Sequence, residues 1–230
     1  MILWFTNILS QTKPEIIEEL DYIKELGTDI IYLNPVFESP EYHRYSTGNY
    51  FNIDPYLGTN EDFKLLCEEA KKREIKIIID GVFSHTGADS IYFNKYGHYD
   101  SLGAANSTVS PYFNWYSFID YPDKYECWWG FENLPNVNEN HPDYTEYITG
   151  KDGVIEYWQK MGASGWRLDV ADELPDDFLD KLNSCVKSEK EDAIKKSISR
   201  YVTINSEFNN RGLSLSSTEK KNIVHLCFQN

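Results

Sequence analysis

Asp169 and Arg167 stand two positions apart in the run Trp166-Arg167-Leu168-Asp169-Val170. Side chains two apart on a strand share a face, so the guanidinium would lie beside the carboxylate, keep it ionised and fix its direction. That is how a carboxylate is prepared to attack an electrophilic carbon such as the anomeric centre of a sugar. A structural ion pair closing a strand would use the same two residues. A second run, Asp80-Gly81-Val82-Phe83-Ser84-His85, ends a strand in an acid and follows it with an imidazole. His85 could donate a hydrogen bond to a substrate hydroxyl, although a satisfied structural histidine is the plainer reading. His43 and Tyr45 lie in a loop and could wall a pocket or simply pack there. Trp128, Trp129 and Phe131 could be sugar platforms; the core of a small subdomain is the reading slightly favoured by residue type.

Short apolar runs must position these groups. Asp29-Ile30-Ile31-Tyr32-Leu33-Asn34-Pro35, residues 75–82 and residues 166–170 read as buried parallel strands, apolar without alternation. Helical patterns separate them. Thr12 and Pro14 can open a helix carrying Ile16, Ile17, Leu20, Ile23 and Leu26, which Gly27 ends. Thr59-Asn60-Glu61-Asp62 caps a second helix running to Arg73. Further helices are expected over 152–161 and from about 176 to 186. This alternation predicts an α/β parallel sheet with its chemistry at the carboxyl ends of the strands, where Asn34, Asp80, His85 and Asp169 fall. Residues 86–150 interrupt the rhythm. They are rich in Asn, Asp, Tyr, Trp and Pro, and read as a functional excursion or small subdomain.

Composition narrows the partners. The 230 residues carry a net charge of −15 and no Lys/Arg stripe, which argues against nucleic acid and anionic membranes. A neutral substrate fits better. Aromatics make up 15% of the chain, a content that suits stacking against sugar rings and also suits an aromatic core. The four cysteines form no Cys-x-x-Cys, so neither zinc nor redox chemistry is indicated. Residues 1–10 lack the basic start and small-residue cleavage site of a signal peptide, no segment is a membrane-span candidate, and a cytoplasmic location is the default expectation.

Taken in order, five segments resemble the α-amylase family of glycoside hydrolases, and within it the neopullulanase and cyclomaltodextrinase-like members. They are Ile31-Tyr32-Leu33-Asn34-Pro35-Val36-Phe37; His43-Arg44-Tyr45-Ser46-Thr47-Gly48-Asn49-Tyr50-Phe51-Asn52-Ile53-Asp54; Asp80-Gly81-Val82-Phe83-Ser84-His85-Thr86-Gly87; Trp128-Trp129-Gly130-Phe131-Glu132-Asn133-Leu134-Pro135; and Gly165-Trp166-Arg167-Leu168-Asp169-Val170-Ala171. The resemblance implies a retaining hydrolase of α-1,4 and α-1,6 linkages in α-glucans. It makes Asp169 the nucleophile and Arg167 its orienting partner. His85 would bond a sugar hydroxyl, Tyr45 would stack under the sugar, His43 would line the pocket and Asp80 would support the strand end, the last four forming the substrate-binding set. No organic cofactor is implied. Calcium is doubtful, because Ser84 stands where the family usually has Asn. Asn49 replaces a usual Asp, and Asp172-Glu173 stand where a His often follows.

The expected fold is therefore α/β, a partial (β/α)₈ TIM-type barrel with a long excursion between the third strand and third helix. Residues 1–194 read as an incomplete catalytic barrel and 195–230 as a divergent polar tail. The family's first barrel strand is expected to be missing or replaced by residues 2–9, leaving three recognisable strands. The second carboxyl that retaining hydrolysis needs is not found as the family's Gly-Glu-Val-Trp-like run. Glu207 is the nearest Glu in a partly apolar setting and a poor substitute. On this reading the chain is a truncated hydrolase, with an inactive, oligosaccharide-binding half-barrel as the alternative.

Overall fold

A computed structural model describes residues 2–5, 15–188 and 223–224, so Glu207 and most of the polar tail lie outside the described residues. The apolar runs form the strands β2 (Ile30–Leu33), β5 (Lys76–Gly81) and β8 (Gly165–Leu168). Between β2 and β5 lie a small antiparallel pair, β3 (Phe37–Glu38) with β4 (Asn49–Ile53), and the helix α3 (Asn60–Lys72). Two further strands differ from expectation. Residues Ile2–Phe5 form β1, which pairs in parallel with β2, so the first strand position is filled rather than lost. Ile223–Val224 forms β9, parallel to β1 on its other side. The result is one five-stranded sheet in the order β8-β5-β2-β1-β9, parallel throughout, rather than three strands.

Helices supply the crossovers that parallel strands require. The first comes in two pieces, α1 (Glu15–Glu18) and α2 (Leu20–Glu25), instead of one continuous run. Gly27 follows at φ +78, the left-handed conformation that a helix stop needs. Helix α3 begins in a complete capping box: Thr59 Oγ1 accepts the Asp62 N–H and Asp62 Oδ2 accepts the Thr59 N–H. Its buried face carries Phe63, Leu66, Cys67 and Ala70. Helices α4 (Pro142–Thr149), α5 (Val154–Met161) and α6 (Asp176–Ser188) pack on one another. Helix therefore resumes at Pro142, ten residues before the expected 152 and inside the range expected for the excursion. The signal is Pro in the first turn behind His141, whose side chain accepts the Asp143 N–H.

The segment between β5 and α4 holds a short hairpin, β6 (Phe118–Asp120) with β7 (Lys124–Tyr125), and two 3₁₀ turns at Phe113–Trp115 and Trp128–Gly130. It has its own aromatic packing, with Phe93 at 4.6 Å from Tyr125 and 4.8 Å from Tyr116 between ring centroids. Main-chain bonds tie it to the end of β5: Val137 N–H donates to Ser84 O at 3.1 Å and Thr86 N–H to Pro135 O at 3.1 Å. Beneath it, Tyr50 is wholly buried and links the layers. Its hydroxyl donates to Val82 O at 2.6 Å, while its own carbonyl accepts from Trp158 Nε1 at 2.7 Å.

Helix α5 meets α3 at Gly162, which has φ +119 and where an added Cβ would stand 2.5 Å from Cys67 Cβ. Gly162→Ala combines a left-handed penalty with a core overlap and is expected to cost about 2 kcal/mol or more. Urea unfolding should show a lower midpoint at unchanged slope. An unchanged midpoint would show that this helix junction gives way without cost.

Candidate active site

The register of the sheet assembles the centre of the site. Asp80 on β5 is aligned with Arg167 on β8, and Tyr32 on β2 is aligned with Ile78, two residues before Asp80 and so on the same face. Arg167 Nη1 donates to both carboxylate oxygens of Asp80, at 3.0 and 2.9 Å, and to Asp169 Oδ1 at 2.8 Å. The Tyr32 hydroxyl donates a short hydrogen bond to Asp80 Oδ2. Asp80 is completely buried beneath Arg167. Asp169 is only partly covered, and its carboxylate also accepts the Val170 N–H. Val170 itself has φ +41, an outlier conformation for a β-branched residue.

Charge and burial compete here. Burial pushes the Asp80 carboxyl up to about 7 against the pull of Arg167 and Tyr32. It pushes Asp169 upward as well, against the opposing pull of Arg167. The lowering expected for Asp169 from its neighbour alone is thus reversed, because the strand end is more enclosed than the sequence pattern conveys. The phenol of Tyr45 lies against the same cluster, within reach of Arg167, and burial beside Asp80 and Asp169 raises it.

His85 is brought to the same end of the sheet but is enclosed. Its Nδ1 shares a 2.9 Å hydrogen bond with Ser84 Oγ, the ring also lies against the Tyr45 backbone, and the Trp128 ring lies 5.6 Å across it. Burial lowers its pKa to about 4, which keeps the imidazole neutral. His43 sits farther out, more than half exposed, with Nε2 3.0 Å from Glu41 and Nδ1 accepting the Tyr45 N–H at 3.1 Å. It orders the Tyr45 loop from the rim. Glu41 also accepts from Ser46 Oγ at 2.5 Å and from Asn133 Nδ2 at 2.7 Å, so it joins the loop to the segment beyond β5. Asn49 spends its side-chain oxygen on the Phe51 N–H at 3.0 Å.

The rings of the Trp128 turn are not the core favoured from residue type. None of its residues is buried, and Trp129 and Phe131 are 77% and 55% exposed. Sequence reasoning passed over Glu41 and Glu139, and noted Glu173 only as a departure from the usual His. Glu173 accepts both indole N–H groups of Trp128 and Trp129, and Glu139 is pushed by burial up to about 7. No spacing rule marks these glutamates: Glu41 and Glu173 bond across loops, and the enclosure of Glu139 comes from the fold. Among the described residues no cluster of three or more His, Cys, Asp or Glu is placed to hold a metal, and Ser84 Oγ is engaged by His85. No described helix is long and apolar enough to cross a membrane.

A parallel helix-flanked sheet carrying an Arg–carboxylate cluster at the carboxyl ends of adjacent strands is the site arrangement of parallel α/β enzymes, (β/α) barrels among them. The chain belongs to the α-amylase family: the family's "Alpha amylase, catalytic domain" profile matches residues 14–214. Family membership and the structural neighbours give the (β/α)₈ barrel as the fold, of which this sheet is a part. The chain is similar to an amylopullulanase of Thermoanaerobacterium saccharolyticum, 40% identical over 210 residues, with 83% of this chain and 16% of the relative aligned. It is 34% identical over 186 residues to neopullulanase 2 of Thermoactinomyces vulgaris, covering 78% of this chain and 30% of that one. Among solved structures, the acarbose-soaked debranching enzyme of Nostoc punctiforme matches with a TM-score of 0.71 at 30% identity, over 83% of this chain and 47% of its own. The ligand-free cyclic α-maltosyl-(1→6)-maltose hydrolase of Arthrobacter globiformis matches with a TM-score of 0.69 at 34% identity, over 77% and 40%. The chain thus spans less than half the length of each of these relatives.

Two outcomes follow from the site. Arg167→Met leaves the enclosed Asp80 without its counter-charge and is expected to lower unfolding free energy by about 3–5 kcal/mol, read by urea denaturation; a loss below about 1 kcal/mol would show that Asp80 is neutral without help. His85, lowered to about 4, binds its proton more weakly folded than unfolded. Its stabilisation is therefore present above pH 6.5 and is lost as pH falls from there toward 4, amounting to as much as about 3 kcal/mol. Denaturation curves of wild type and His85→Gln between pH 7 and 4 should converge by that amount. Parallel curves would contradict it.

Proposed function

We propose that these residues form the nucleophile half of a retaining α-glucan hydrolase site, acting on α-1,4 and α-1,6 linkages. The observation that carries this reading is the shared guanidinium: Arg167 holds Asp169 at 2.8 Å while itself fixed on the enclosed Asp80. A carboxylate so held is aimed and cannot swing, as attack on an anomeric carbon requires. The relatives, which include an amylopullulanase, a neopullulanase and a cyclic maltosyl-maltose hydrolase, agree with a neutral α-glucan as substrate.

In this reading Asp169 attacks the anomeric carbon, the bond to the leaving oxygen breaks, and a second carboxyl protonates that oxygen. Water then releases the sugar from Asp169. Arg167 orients the nucleophile, Asp80 and Tyr32 fix Arg167, and Tyr45 provides the flat surface beneath the sugar. His85, neutral, gives a hydrogen-bonding group to a sugar hydroxyl, and His43 holds the Tyr45 loop at the pocket wall. Residues 86–150 are read as the excursion that covers this end of the barrel.

A binding-only half-site is the second reading, and one observation favours it. The carboxyl joined to Asp169 through Arg167 is Asp80, which is enclosed and already accepts from Arg167 and Tyr32, so it cannot protonate a leaving group. Reducing-sugar release from soluble starch, pullulan and cyclodextrin, measured beside calorimetric binding of maltohexaose, separates the two. Release that falls to background in Asp169→Asn supports the hydrolase. Maltohexaose binding without release supports the half-site. Neither binding nor release removes both.

A further inference from the structure

Trp129 is displayed in a way that folding does not require. It is 77% exposed, and its backbone stands at φ +50, a region that large side chains avoid. Yet its indole is not loose. Trp129 Nε1 donates to Glu173 Oε1 at 3.0 Å, and Trp128 Nε1 donates to Glu173 Oε2 at 2.9 Å. Glu173 is itself fixed one tight turn after Asp169, its N–H donating to Val170 O at 2.8 Å. The rings form a slab: Trp128 lies 5.5 Å from Trp129 at 31° and 6.0 Å from Phe131 at 24°. On its inner side Trp128 touches His85. A strained backbone, an anchored indole and an apolar ring in water, all on one residue, mark a surface built for a ligand.

We propose that Trp129, clamped by Glu173, is a glucan-stacking platform at the rim of the pocket, taking a glucosyl ring outside the one at Asp169. The inference rests on the α-glucan reading above and extends it. A pyranose presents an axial C–H face that covers an indole and a ring of hydroxyls at its edge. Each Glu173 oxygen has given one lone pair to an indole and keeps another, so hydroxyls at the ring edge find acceptors beside the platform. Nucleobases would stack equally well, but the chain's charge of −15 opposes their phosphates. Clamping also removes the cost of ordering the indole when sugar binds.

Calorimetric titration of the full chain with maltohexaose tests this, using Trp129→Ala, Trp129→Tyr and Glu173→Ala, with melting temperatures recorded for each. Trp129→Ala is expected to weaken binding about tenfold without lowering the melting temperature. Trp129→Tyr, which restores a flat ring, should recover most of the affinity. Glu173→Ala should lose part of it with Trp129 still present. Wild-type affinity in Trp129→Ala overturns the platform while leaving the glucan reading intact. An effect of Trp129→Ala on sedimentation alone overturns it in favour of contact with a second copy. Unchanged affinity in Glu173→Ala overturns the clamp. If the wild-type chain binds no maltohexaose, the platform and the glucan reading fall together.

Discussion

One guanidinium nitrogen between two carboxylates sets the terms for the rest of the molecule. Arg167 Nη1 reaches Asp80 on one strand and Asp169 just beyond the end of its own. Withdrawing these charges from water costs several kcal/mol per ion. Only a fixed geometry with every oxygen served offsets that cost. The parallel register between β5 and β8 is what aligns Asp80 with Arg167, and the register between β2 and β5 is what lets Tyr32 reach the same carboxylate. A slip of one residue would turn Asp80 to the opposite face. The packing of α3 and α5 and the aromatic links through Tyr50 and Trp158 hold those registers.

The Arg167–Asp169 pair and the strands were legible in the sequence because their rules are local, whereas the seat of Arg167 on Asp80 comes from the register of two distant strands. Strand alternation puts Arg167 and Asp169 on one face, and a buried parallel strand reads as an unbroken apolar run, as residues 77–79 do. Strand β1 was not legible. Ile2–Phe5 is four residues long without turn signals, and its identity as a strand comes from pairing with Ile30–Leu33 far along the chain. The rise in the Asp169 pKa escaped for a similar reason. Sequence displays the neighbouring Arg, while burial is contributed by residues from several elements. The Trp128 turn shows a third kind of limit. Aromatic type suits both a core and a platform, and the choice is made by a 3₁₀ turn with a left-handed residue inside it.

The segment between β5 and α4 is more than an appendage packed on its own aromatics. Two glutamates from the barrel's loops grip it. Glu41, in the loop before Tyr45, takes Asn133 and Ser46; Glu173, in the loop after Asp169, takes Trp128 and Trp129. Each grip starts from a loop that also presents a candidate site residue. The position of the segment is therefore coupled to the positions of Tyr45 and Asp169, and the stack of Trp128 on His85 adds a third connection. A carboxylate suits this task because it can accept from two donors at once without itself being buried.

Of the six described non-glycine residues at positive φ, three stand beside the candidate site. Val170 at φ +41 follows Asp169, Arg44 at φ +60 separates His43 from Tyr45, and Trp129 at φ +50 stands in the turn beside His85. Each is held by contacts elsewhere: Arg44 by an enclosed ion pair with Asp54 at 3.3 Å, Trp129 by Glu173, and Val170 by the Glu173 N–H on its carbonyl. A left-handed residue reverses the chain within one position, so the side chains on either side of it can face a common point that a regular strand or helix would deny them. Strain of this kind survives only where the surroundings over-determine it, and here the surroundings are the ion pairs and hydrogen bonds that also build the site. The residues beside the strained positions are thus placed by the fold before any ligand arrives. For the proposed role of Asp169, attack on one carbon at one angle, that prior placement is the larger part of what a scaffold can contribute.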